Sequence, residues 1–200
     1  MLDVAKIDTR ELELQAEPVH LQVILNEICE EHSKAFRDRD LTLDIAEMNH
    51  IPPVQGDPEA LKKVFFHLVM NAIKYTPNGG QVGITGLEID KGDTRFPPGG
   101  VEIVISDTGI GIDPRFTDLI FSKFYQTGEL AFHSSGKTKF KGGGPGLGLA
   151  IVRGIIQAHG GRVWVESPGY DEDKNPGSHF HVLVPLSIET KVNPPGEINV

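Results

Sequence analysis

The chain has little cysteine. Cys29 is the single thiol in 200 residues, so no internal disulfide can brace the fold, and that usage fits a reducing, cytoplasmic compartment. Positive charge is also short. The 19 Lys and Arg are outnumbered by 28 Asp and Glu, a formal net charge of -9, whereas a nucleic-acid footprint needs clustered cations to release counterions. Nucleic acid is therefore not an expected partner. No uninterrupted apolar run approaches the roughly 20 residues of a membrane span. The opening MLDVAKIDTRELELQ has neither the basic region nor the apolar stretch of a secretory leader. The expected location is the cytoplasm, with any membrane anchor in other parts of a full-length protein. What the composition does supply is 38% hydrophobic and 24% charged residues, enough for one substantial core.

Glycine is plentiful, and it clusters. SDTGIGI (106–112) and GGGPGLGL (142–149) hold most of the pattern, and alternating elements surround them. PVHLQVILNEICEEHSKAF spaces Leu21, Leu25, Ile28, His32 and Phe36 as one amphipathic helix, with His32 a packed or rim residue. LTLDIA (41–46) alternates as a strand, and MNHIPPVQG reads as a loop broken by Pro52 and Pro53. A well-signposted helix follows: Asp57 caps it, Pro58 takes the first position and Glu59 faces the positive end of the dipole. QVGITGLEID and GVEIVISD are strands around the turn-rich KGDTRFPPGG. GLGLAIVRGIIQAHGG is a helix that begins in glycines and ends in a left-handed cap at Gly160 and Gly161, and RVWVES and HFHVLVP are the last strands.

The capped helix carries two stripes. Leu61, Phe65, Leu68 and Ala72 should meet a sheet, while Ala60, Lys63, His67, Asn71 and Lys74 form a second face. Asparagine and histidine are poor choices for a merely solvated helical face. The Asn71 amide oxygen suits a hard cation such as Mg²⁺, which takes its other ligands from water and phosphates. In EIVISDTGIG a half-buried strand delivers Asp107 to its end, where a carboxylate can accept a hydrogen bond from an exocyclic amine. There Gly109 and Gly111 let the backbone approach a flat ligand. The second cluster leads straight into a helix, whose free N–H groups and dipole favour phosphate. A dinucleotide fingerprint fits poorly, because its three glycines belong early, between the first strand and helix, with an acid roughly 20 positions on. A Walker loop fails as well, since neither cluster ends in Gly-Lys-Ser/Thr.

With these pieces in place, the chain resembles the ATP-binding catalytic domain of sensor histidine kinases. That family sits in the wider group of DNA gyrase, ninety-kilodalton chaperones and mismatch-repair ATPases. HLVMNAIKYTPNGG resembles its N box, SDTGIGI its first glycine box, FSKFYQ its F box and GPGLGLAIV its second glycine box, in family order from about Leu12 to Pro185. The resemblance implies an α/β (α+β) two-layer sandwich, a mixed and mostly antiparallel sheet with helices on one face and a flexible ATP lid. It implies that Asn71 holds Mg²⁺, Asp107 binds the adenine amine, and Lys74 and Tyr75 line the phosphate and adenine sides. Gly109, Gly111 and Ile112 would contact nucleotide, as would Phe124, Lys141, Gly144, Gly146, Leu147, Gly148 and Leu149 around the lid. Phe121 and Phe124 would anchor the lid's other end. The catalytic group would be His67, Asn71 and Lys74, with His67 standing where hydrolytic relatives carry a glutamate base.

The same resemblance implies three regions: residues 1–12 as the end of a dimerisation helix, 13–187 as the catalytic domain and 188–200 as a tail. ATP, a dimerisation hairpin carrying the acceptor histidine and a response regulator are the implied partners, and the full-length protein is expected to be a homodimer. Two departures stand out. Gln126 replaces the usual arginine after the F box, and His179 replaces the common threonine before phenylalanine, with Ser178 as the nearest hydroxyl. They keep open a nucleotide-binding interaction module without phosphotransfer, or a gyrase-type ATPase.

Overall fold

The computed structural model describes residues 14–123, 125 and 146–187. A five-stranded sheet, ordered β2-β4-β5-β7-β6, is formed by β2 (Thr42–Ile45), β4 (Gln81–Ile89), β5 (Gly100–Asp107), β6 (Arg162–Glu166) and β7 (Ser178–Pro185). Only β2 and β4 run parallel; the other three pairings are antiparallel. Period-two alternation sends Val82, Ile84, Ile103, Ile105, Phe180, Val182, Val163 and Val165 to one face, all buried. Helices α1 (Leu21–Glu31), α3 (Pro58–Tyr75) and α4 (Gly148–Ala158) supply Leu25, Ile28, Leu61, Phe65, Leu68, Val152 and Ile155 to the same core. This is the expected two-layer sandwich with a mixed, mostly antiparallel sheet.

The signals at the ends of the two long helices are realised. Asp57 Oδ1 accepts the Ala60 N–H at 2.9 Å, with Pro58 and Glu59 in the first turn of α3. At the end of α4, Gly160 takes φ +74°. Its N–H donates to Gln157 O at 3.0 Å while Gly161 N–H donates to Ile156 O at 2.9 Å, a Schellman pattern.

Two expectations from the N-terminal third are corrected. The helix read across Pro18 to Phe36 is three elements. Glu17–Val19 is a strand, β1, paired antiparallel with β3 (Val54–Gly56), which lies in the stretch read as a loop. A three-residue strand shows no period of its own, and a proline inside it is tolerated because this small sheet has only edges. The helix then breaks at His32, whose Nδ1 sits 2.9 Å from Ile28 O and competes with the backbone ladder. A short α2 (Ser33–Asp38) runs on two residues past Phe36. Within α3, Ala60 is buried at 1% exposure and does not belong with the half-buried Lys63, His67, Asn71 and Lys74.

His159 ties the layers together. Its ring is fully buried, with Nδ1 2.8 Å from Ile155 O and Nε2 accepting the Asp57 N–H at 3.1 Å. A backbone N–H can only donate, so the proton sits on Nδ1 and the ring is neutral. Burial holds its pKa below the ordinary histidine value. The unfolded chain protonates this ring near pH 6.5 whereas the folded chain resists. The ring's stabilisation is therefore complete above that pH and is lost as pH falls toward the folded value. His159→Phe leaves the Asp57 N–H unpaired and should cost about 1–3 kcal/mol in denaturant unfolding at pH 7.5. The gap to the parent should narrow at pH 5.5, and a gap that stays constant would refute the neutral-ring assignment.

Candidate nucleotide site

The last residue of β5 is Asp107, whose side chain falls on the core face with Ile103 and Ile105 and is 7% exposed. Its carboxylate is held on both oxygens: Gly109 N–H donates to Oδ1 at 2.8 Å and the Ser178 hydroxyl donates to Oδ2 at 2.7 Å. Burial nevertheless pushes its pKa above the usual aspartate value, with these two hydrogen bonds pulling the other way. Ser178 thus supplies a hydroxyl in the setting where His179 seemed to remove one.

The first glycine box also serves the fold. A Cβ on Gly109 would stand 2.5 Å from the Tyr75 carbonyl oxygen and 2.6 Å from Asp107 Oδ1. Gly111 adopts φ +70°, and a Cβ there would meet Ser167 Oγ at 3.0 Å and Pro176 at 2.7 Å. The clearance at both positions is taken up by the protein itself. Ile110 N–H donates to Tyr75 O at 3.2 Å, so the end of α3 and the turn after β5 are locked together.

Along α3, His67, Asn71, Lys74 and Tyr75 occupy successive turns of one half-buried stripe. Lys74 Nζ lies 4.6 Å from the centre of the Tyr75 ring. Among the described residues the Asn71 amide has no hydrogen-bond partner, which leaves its oxygen free for an incoming ligand. His67 packs edge-on to Phe66, and burial lowers its pKa, so the ring is neutral at pH 7.

Helix α4 opens against this stripe. A Cβ on Gly148 would be 3.1 Å from His67 Nδ1, so the start of α4 rests on the middle of α3. Gly146, at φ +68°, turns the chain into the helix, Leu147 stands at the N-cap, and Leu149 and Ile112 pack against the core. Asp107, Gly109, Gly111, Ile112, Tyr75, Lys74, Asn71, His67, Gly146, Leu147, Gly148 and Leu149 are therefore brought to one end of the sandwich. Phe121 is buried and edge-on to Phe180. Phe124, Lys141 and Gly144 lie outside the described residues, as does the 126–144 stretch assigned to the lid.

Several residues that shape the site went unread in the sequence. Gly177 donates its N–H to Gly109 O at 2.9 Å, and Ser167 Oγ accepts from Ile112 N–H at 2.9 Å, both from the loop between β6 and β7. Thr108 Oγ1 accepts the Gln81 N–H at 2.8 Å. Arg39 binds the far end of α3. Only the glycine in NPGSHF gave a local signal; the other contacts are long-range.

This constellation has close counterparts. Residues 56–188 match the family described as histidine kinase-, DNA gyrase B-, and HSP90-like ATPase, and the chain belongs to that family. It is similar to the adaptive-response sensory kinase SasA of Rippkaea orientalis, at 31% identity over 93% of this chain and 42% of that protein. It is 33% identical to the histidine-protein kinase/phosphatase MprB of Mycolicibacterium paratuberculosis, over 84% of this chain and 28% of that protein. The chain thus spans less than half the length of these relatives. Among solved structures, full-length ShkA in complex with AMPPNP matches 93% of this chain and 34% of its own, with a TM-score of 0.72 at 26% identity. A mycobacterial MprB structure covers 86% of this chain and 99% of its own, with a TM-score of 0.66 at 29% identity. The domain is of the sensor-histidine-kinase type.

Asp107→Asn separates recognition from folding. An asparagine can turn its oxygen to the Gly109 N–H and its amide to the Ser178 oxygen, so both hydrogen bonds survive without the buried charge. Because the folded pKa of this carboxylate is raised, stability is lost as pH climbs from the unfolded value toward the folded one. The variant should therefore melt no lower than the parent at pH 7, with the difference shrinking as pH falls to the ordinary aspartate value of about 3.9. Its affinity for ATP should fall about 10- to 100-fold, the worth of one charged hydrogen bond. Calorimetry and thermal melts read both quantities, and unchanged affinity would remove Asp107 from the site.

Proposed function

We propose that this chain is the catalytic part of a two-component sensor kinase. It binds Mg²⁺-ATP and transfers the γ-phosphoryl group to a histidine on a dimerisation hairpin, from which a response regulator takes it. We place that activity in the cytoplasm, within a homodimeric full-length protein. The observation that carries the reading is the meeting, at one end of the sandwich, of a buried carboxylate suited to a base amine and a helix stripe suited to a cation. Asn71, with its free amide oxygen, would hold the Mg²⁺, which on binding screens the phosphate charge. Asp107 orients the nucleotide, and the amides at the start of α4 face phosphate.

In the transfer, an imidazole nitrogen of the hairpin attacks the γ-phosphorus as the bond to the bridging oxygen breaks, and ADP departs with that electron pair. His67 sits where hydrolytic relatives carry glutamate. A half-buried imidazole packed on Gly148, whose pKa burial lowers, is a weaker base for water than a solvated histidine, which supports transfer to a protein nucleophile over hydrolysis. Lys74 adds positive charge on the same stripe.

The test mixes this chain with a hairpin carrying the acceptor histidine and γ-labelled ATP. Label should appear on the hairpin histidine. Asn71→Ala should weaken Mg²⁺-ATP binding about tenfold or more, in line with losing one metal ligand, and should abolish labelling at subsaturating ATP. ATP binding without any label on the hairpin would favour the non-transferring module that Gln126 keeps open.

A further inference from the structure

Arg39 is 8% exposed and lies outside every motif discussed so far. It follows α2 and lies 34 to 39 residues from three partners at the end of α3 and in the turn beyond. Nη1 donates to Ile73 O at 2.7 Å, Nη2 to Thr76 O at 2.5 Å and Nε to Asn78 Oδ1 at 2.6 Å. Its own carbonyl accepts the Gly79 N–H at 3.1 Å. The last carbonyls of a helix lack intrahelical donors and carry the negative end of the dipole. Here a planar fork with a fixed positive charge serves two of them at once, which a lysine cannot reproduce.

The clamped segment runs on into the nucleotide site. Ile73 and Thr76 bracket Lys74 and Tyr75, and the Tyr75 carbonyl between the two clamped oxygens receives the Ile110 N–H. Beyond the turn, Gln81 N–H donates to Thr108 Oγ1 at 2.8 Å and Thr108 N–H to Gln81 O at 3.0 Å, on the residue after Asp107. Both sides of the site are therefore registered through the segment that Arg39 holds.

We propose that Arg39 is a positioning residue for nucleotide binding: by fixing the C-terminal turn of α3 it sets Asn71, Lys74 and Tyr75 relative to Asp107, so that one ligand engages both. The inference rests on the ATP-site reading and adds a residue that touches no ligand. It makes a prediction that general stabilisation does not. Adenosine, which needs mainly the strand end, should be much less sensitive to Arg39 than Mg²⁺-ATP, which must also reach the α3 stripe.

The experiment measures affinities for adenosine and Mg²⁺-ATP, by NMR shift titration and calorimetry, in the parent, Arg39→Met, Arg39→Lys and Asn78→Ala, all well below their melting temperatures. Arg39→Met should weaken Mg²⁺-ATP about tenfold while changing adenosine less than about twofold. Arg39→Lys should recover part of the loss, and Asn78→Ala, which removes one exposed acceptor, should shift the ratio slightly in the same direction. Should Arg39→Met fail to fold, the lysine and Asn78 variants carry the test. An unchanged ATP-to-adenosine ratio in the folded variants, or equal weakening of both ligands, overturns the proposal. A parent that binds neither ligand overturns the ATP-site reading instead.

Discussion

The structure is organised around a carboxylate kept nearly dry. Asp107 ends an apolar strand on the core side of the sheet, where its charge is opposed by burial and supported by one N–H and one O–H. Three segments close around it to make that tolerable: the glycine turn after β5, the start of β7 with Gly177 and Ser178, and the end of α3 through Tyr75. An amide would accept the Gly109 N–H and donate to the Ser178 oxygen without the desolvation penalty. Keeping the acid forgoes stability, which fits the ligand-binding role proposed for it.

That acid is useful only if the helix opposite keeps its register. The strand end and α3 meet at a single backbone junction, Ile110 to Tyr75, and the glycines there exist because backbone and carboxylate already fill the space a side chain would need. The first glycine box is thus a packing device as much as a ligand-binding one. The second is a different case. Gly148 packs against His67, so the opening of α4 is placed by the same stripe that carries Asn71.

The sequence made the sheet and the long helices readable because each advertises itself locally: period-two strands, the Asp-Pro-Glu start of α3, the paired glycines ending α4. Asp107, Asn71 and the glycine boxes were readable because their residue types are costly where they sit. β1 and β3 were not, since three residues show no period and their pairing joins positions 35 to 39 apart. His32 broke a helix whose apolar spacing continued through it, because a side chain bond to Ile28 is invisible to a hydrophobic pattern. Arg39 was hidden for the same reason, as a buried cation whose acceptors are backbone oxygens leaves no partner motif in the sequence. Ser178 shows the converse, a hydroxyl whose role became clear only when β5 and β7 paired Asp107 with it.

Position 67 decides what the assembled site favours. The stripe on α3 offers an amide, an ammonium and a neutral ring, but no carboxylate that could take a proton from water. Burial against Phe66 and Gly148 disfavours the imidazolium, so the ring is a weaker proton acceptor than a solvated histidine. A bound triphosphate would then persist until a nucleophile that needs little activation arrives. An imidazole from another domain is such a nucleophile, being largely unprotonated at physiological pH. Such a site fits the transfer proposed above, in which turnover waits on that encounter.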